Sequence, residues 1–76
     1  METMKVENRI KAVLADKKLT CRWLAAEMGR NENTISRWCS NKAQPSLQQL
    51  FDIANLLDVE ISTLVRSTKK HHNEIK

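Results

Sequence analysis

Apolar residues along the 76-residue chain recur at helical spacing, with no sustained alternation of the kind a strand shows. Val6, Ile10, Val13 and Leu14 fall at i, i+4, i+7 and i+8. They mark one face of a first helix that ends near Asp16-Lys17-Lys18. Thr20 is a good N-cap for a second helix, and Leu19 and Leu24 are placed to form a hydrophobic staple across its start. Leu24, Ala25 and Met28 share a face, and Gly29 follows where a helix end takes a left-handed residue. A third helix can start at Asn31, with Ile35, Trp38 and Cys39 as its apolar stripe; it fades at Ser40-Asn41, where Asn suits a left-handed position. Ser46-Leu47-Gln48-Gln49 has the capping-box pattern and opens a fourth helix. Leu47, Leu50, Phe51, Ile53, Ala54 and Leu57 give that helix a broad apolar face, so it is predicted to be the most buried. A short fifth helix is predicted after Asp58-Val59, with Ile61, Leu64 and Val65 turned inward or towards a partner. The expected fold is all-α: a compact five-helix domain over residues 1–66, followed by a basic, disordered tail over 67–76.

Size and charge narrow the picture. A single domain of this length buries about 60% of the surface its unfolded chain exposes, so the core is thin and a cleft between domains is not available. No apolar run approaches the roughly 20 residues that span a bilayer, and no signal-peptide pattern opens the sequence, so a cytoplasmic location without membrane contact is expected. The formal net charge is +4, unevenly distributed. Residues 5–42 carry Lys5, Arg9, Lys11, Lys17, Lys18, Arg22, Arg30, Arg37 and Lys42 against Glu7, Asp16, Glu27 and Glu32. Residues 43–65 carry Asp52, Asp58 and Glu60 and no basic residue. This segregation predicts one basic face, which permits a nucleic-acid partner.

Function is best read from the second and third helices together. Ala25, Gly29 and Ile35 each have a task where two short helices cross steeply: the first stays small under the crossing, the second makes the turn, and the third fills the space beneath. The run from Thr20 to Gly29, then Asn31 and Thr34-Ile35-Ser36-Arg37-Trp38, resembles the helix-turn-helix of the phage repressor and Cro (XRE) family. Pro45-Ser46-Leu47, Leu50, Ile53-Ala54, Leu57 and Asp58-Val59 match that family's fourth and fifth helices, so the resemblance covers roughly residues 6–65. It implies a lambda-repressor-like domain with its helix-turn-helix at helices 2 and 3, the third helix lying in the major groove of double-stranded DNA.

Carried over by position, the resemblance makes Glu32, Asn33, Ser36 and Arg37 base-reading residues. Arg37 suits guanine, Asn33 adenine, and Glu32 can accept from cytosine. Thr20, Cys21, Arg22, Arg30, Thr34, Asn41 and Lys42 become candidates for the DNA backbone, with Gln44 nearby. Three departures stand out. Cys21 replaces a common Gln that touches phosphate. Leu14 and Cys39 stand where the family commonly pairs a buried Arg with Glu, a joint replacement by apolar residues that a fold tolerates. Arg30 replaces a small apolar turn residue, which exposes it to phosphate.

Other signals are weaker. Cys21 and Cys39 form no CxxC and have no histidine at zinc spacing; two reduced thiols are expected, with a disulfide as the minor alternative. Trp38 belongs to the core stripe, while Trp23 can be half-buried or mark a partner surface. His71 and His72 are adjacent in the tail and make no metal site by themselves. No catalytic constellation, cofactor motif or small-molecule site is legible. The reading is a non-enzymatic, repressor-like transcriptional regulator that occupies an operator, with a homodimer built around Ile61, Leu64 and Val65 as one possibility and a monomer whose core those residues close as the other. Two alternatives stay open: an antitoxin or controller protein that binds DNA and a protein partner, and an interaction module that no longer binds DNA.

Overall fold

The computed structural model describes residues 6–67. In chain order they form β1 (Val6–Asn8), α1 (Ile10–Asp16), α2 (Cys21–Met28), α3 (Glu32–Cys39), α4 (Leu47–Leu57), a 3-10 helix (Ile61–Leu64) and β2 (Val65–Ser67). Four α-helices and a small antiparallel strand pair therefore replace the expected five helices. The predicted tail falls, apart from Ser67, outside the described residues.

Both corrections occur at the ends of the domain. Val6 keeps helical spacing with Ile10, yet it lies in β1, which pairs with β2 in the register Val6↔Ser67, Glu7↔Arg66 and Asn8↔Val65. The Asn8 side chain accepts from the Ile10 amide at 3.1 Å and starts α1 there, so the helix does not extend back to Val6. At the other end, four residues form a 3-10 turn before Val65 becomes extended (φ −128, ψ 153). The Arg9 amide donates to the Leu64 carbonyl at 2.7 Å, which joins the two ends. An exposed ion pair, Glu7–Arg66 at 3.5 Å, adds less than about 1 kcal/mol.

Helix starts follow their caps. The Thr20 side chain accepts from the Trp23 amide, Asn31 from the Asn33 amide, and Ser46 and Gln49 form a complete capping box. Helix ends share one device: Lys18, Gly29, Asn41 and Asp58 all have positive φ, between 57 and 64. At Gly29 the next amide, of Arg30, reaches back to the Ala25 carbonyl at 2.9 Å while the Gly29 amide reaches that of Ala26, the Schellman arrangement. A Cβ on Gly29 would meet nothing within 4 Å, so only the left-handed backbone opposes a side chain there. Gly29→Ala is expected to cost about 1–2 kcal/mol, read as a Tm lowered by roughly 4–8 °C per kcal/mol, with Gly29→Asn costing less.

One residue from each helix is completely inaccessible: Ile10, Leu24, Ile35, Ile53 and, in the 3-10 helix, Leu64. Val13, Leu14, Ala25, Trp38, Cys39, Ala54 and Leu57 complete the core. Leu14 and Cys39 are thus both buried. α4 buries less of its apolar face than its sequence predicts, since Leu47 is 67% and Phe51 48% exposed. Phe51 lies roughly 110° round the helix from the middle of the inward stripe formed by half-buried Leu50 and buried Ile53, Ala54 and Leu57. No described helix is long and apolar enough to cross a membrane.

Candidate nucleic-acid interface

α2 packs more extensively on α3 than on any other element. The left-handed Gly29 and the extended Asn31 turn the chain between them. Ile35, Trp38 and Cys39 hold α3 down by one face. Its opposite face carries Glu32, Asn33, Ser36 and Arg37, all exposed, at i, i+1, i+4 and i+5. Among the described residues, none of these four side chains forms a hydrogen bond or ion pair within the protein. Thr34, beside them, is half-buried.

The backbone candidates divide. Thr20, Arg22, Arg30 and Lys42 are exposed, and Cys21 is half-buried. Because the Thr20 side chain takes the Trp23 amide at 3.0 Å, the amides of Cys21 and Arg22 remain as first-turn donors facing outward from α2. Asn41 is different: its carboxamide is engaged internally. Oδ1 accepts from the Asn8 amide and from Gln44 Nε2, both at 2.8 Å, and Nδ2 donates to the Asn8 carbonyl at 3.2 Å.

Asn8 is the residue that sequence reasoning missed. It is the buried polar side chain of the described core, and every group on it is satisfied. Its Nδ2 donates to the Trp38 carbonyl at 2.7 Å and to Gln44 Oε1 at 2.8 Å. β1 is thereby bonded to the end of α3 and to the loop that carries Lys42. No local pattern reveals this, because the partners lie 30–36 residues further along.

The two cysteines come together. Their sulfurs are 2.9 Å apart, between the first residue of α2 and the last of α3, and both are free thiols. Burial, reinforced by the Cys21 thiol, pushes Cys39 up to about 12; the Lys11 ammonium acts in the opposite sense. The folded protein therefore holds this proton to higher pH than the unfolded chain does. The stability it contributes is complete below the ordinary thiol range and is lost as pH rises from about 9 towards about 12. Denaturant midpoints measured on either side of pH 9 are expected to fall more steeply in the native protein than in Cys39→Ala.

Two short helices crossing through a left-handed turn, with one polar face left free, define a helix-turn-helix domain. The chain belongs to the family of Cro/C1-type helix-turn-helix DNA-binding domains, whose model matches residues 9–70. It is similar to a protein from Bacteroides fragilis whose crystal structure is assigned to DNA binding. The two are 58% identical with a TM-score of 0.80, over 82% of this chain and 100% of that one. A search of curated proteins gives no match. Both similarities support double-stranded DNA as the partner.

Proposed function

We propose that the protein is a sequence-specific transcriptional regulator that reads the major groove with α3. One observation carries this reading: four adjacent polar side chains, Glu32, Asn33, Ser36 and Arg37, stand exposed and unpartnered on a helix fixed from behind by its buried stripe. Such a face has its hydrogen-bonding capacity free for base edges. The outward amides of Cys21 and Arg22, with Arg30 and Lys42, supply the sequence-independent attachment to phosphates.

A duplex library with randomised positions tests the reading. Selection is expected to return a defined short site, bound with an affinity that falls as salt rises. Absence of binding even at low salt would remove the DNA reading and favour a pure interaction module.

Two copies on two half-sites form the functional unit in this reading. Leu64 is fully buried and Ile61 and Val65 are half-buried, so the 3-10 region offers less outward apolar surface than Leu47, Phe51 and Leu56 of α4. Those three exposed side chains favour a protein contact through α4, the feature that a controller or antitoxin-like role needs. Two protomers per selected duplex in sedimentation is the expected stoichiometry; one protomer per duplex overturns the paired unit.

A further inference from the structure

We propose that Cys21 and Cys39 are an oxidation site, at which a peroxide-class oxidant forms an intramolecular disulfide that closes the open end of the helix-turn-helix. The two helices already meet at one end through the Gly29 turn. Cys21 opens α2 and Cys39 closes α3, so their sulfurs sit at the other end. A separation of 2.9 Å is inside non-bonded contact, and closing it by about 0.9 Å reaches a covalent S–S length. Bond formation therefore asks for a small side-chain movement and no rearrangement of the helices. The chain holds just these two cysteines, so there is no third thiol within it to compete.

The chemistry is ordered by exposure. Cys21, half-buried at a helix start, meets the oxidant first, while Cys39 is buried and stays protonated. The Cys21 sulfur attacks peroxide, the O–O bond breaks, and a sulfenic acid and water form. The Cys39 sulfur then attacks the Cys21 sulfur. The S–S bond forms, the S–O bond breaks, and the departing hydroxide takes the Cys39 proton as a second water. Two thiols are oxidised and one peroxide is reduced to two waters. A thiol reductant reverses the bond.

The product is a covalent ring that runs from Cys21 through the turn and the whole of α3. Because the sulfurs are already in contact, the ring preserves the crossing of the two helices and with it the polar face of α3. Oxidation locks the reading head without disassembling it. The effect on DNA rests on the reading proposed above; the bond itself does not.

Hydrogen peroxide added to the reduced full chain tests this. The expected product is a monomer lighter by two hydrogen atoms, with no thiol titratable in denaturant and one non-reduced proteolytic fragment joining the two cysteines. Dithiothreitol restores both thiols. Closing the loop is expected to raise Tm by roughly 10 °C or more. In Cys39→Ala, peroxide is expected to stop at an oxygenated Cys21 that a sulfenic-acid reagent traps. Persistence of both thiols, oxygen addition without a cross-link, or linkage only between chains would overturn the site. The selected duplex is expected to bind oxidised and reduced protein within about threefold. Loss of binding on oxidation overturns the locking. A reduced protein that binds no duplex counts against the DNA reading alone, because mass and thiol content are read without DNA.

Discussion

Ile35→Ala is expected to lower stability by about 2–5 kcal/mol, enough to leave much of the population unfolded near body temperature. Ile35 is 0% exposed, on the buried face of α3, the helix on which α2 packs most extensively. Removing its three outer carbons leaves a hole that the α2–α3 contact cannot close without losing the crossing itself. A domain of this size starts near the low end of the usual 5–15 kcal/mol range, so the loss is a large fraction of the total. Thermal unfolding is expected to shift down by at least about 10 °C. Ser36→Ala supplies the control one position along the same helix. Its side chain is exposed and unpartnered, so its effect on stability is expected within about 0.5 kcal/mol. A shift for Ile35→Ala as small as that for Ser36→Ala would show that α3 is not anchored by this stripe.

Arg37→Ala carries the second large effect, on specificity. A bidentate Arg–guanine contact is worth about 1–3 kcal/mol of discrimination, or roughly 5- to 150-fold between the right base pair and a wrong one. The variant is expected to lose that preference at one position of the site and keep it elsewhere. Lys42→Ala is expected to weaken all sequences nearly alike and to reduce the salt slope by about one. Binding measured against a panel of single-position variants of the selected duplex separates the two. Equal, sequence-independent losses from both substitutions would show that Arg37 reads no base. Both residues are exposed and outside the buried core, so neither change is expected to unfold the domain.

What was legible in the sequence was local. Thr20, Asn31 and Ser46 each cap a helix within three residues, and Gly29 and Asn41 end one by their own conformation. The spacing of Ala25, Gly29 and Ile35 is likewise short, and the register of α3 followed from it. Three features were not legible because their partners are far away along the chain. Asn8 looks like any polar residue until its contacts at Trp38, Asn41 and Gln44 are known. The strand pair joins residues 59 apart, and three residues on each side are too few to show alternation. The cysteine contact spans 18 residues and depends on the angle at which α2 crosses α3. On α4 the error was one of width: Leu47 and Phe51 are apolar, but the core reaches only part of the way round that helix.

The bonds of Asn8 also set an order of events in time. The α2–α3 pair closes over a short stretch of chain, whereas β1 meets β2 only when the two ends of the domain find each other across 59 residues. Folding is expected to begin in the helical pair and to finish at the strands, and native fluctuations to run in reverse, with the strands opening first. Each such opening pulls Asn8 away from Asn41 and Gln44 and leaves the loop that carries Lys42 held by its own bonds to the end of α3 alone. Hydrogen exchange at the Asn8 amide, held by Asn41, and at the Arg9 amide, held by the Leu64 carbonyl, is then expected to proceed as one event, so that fraying where the two ends of the domain meet is felt at the far side of α3.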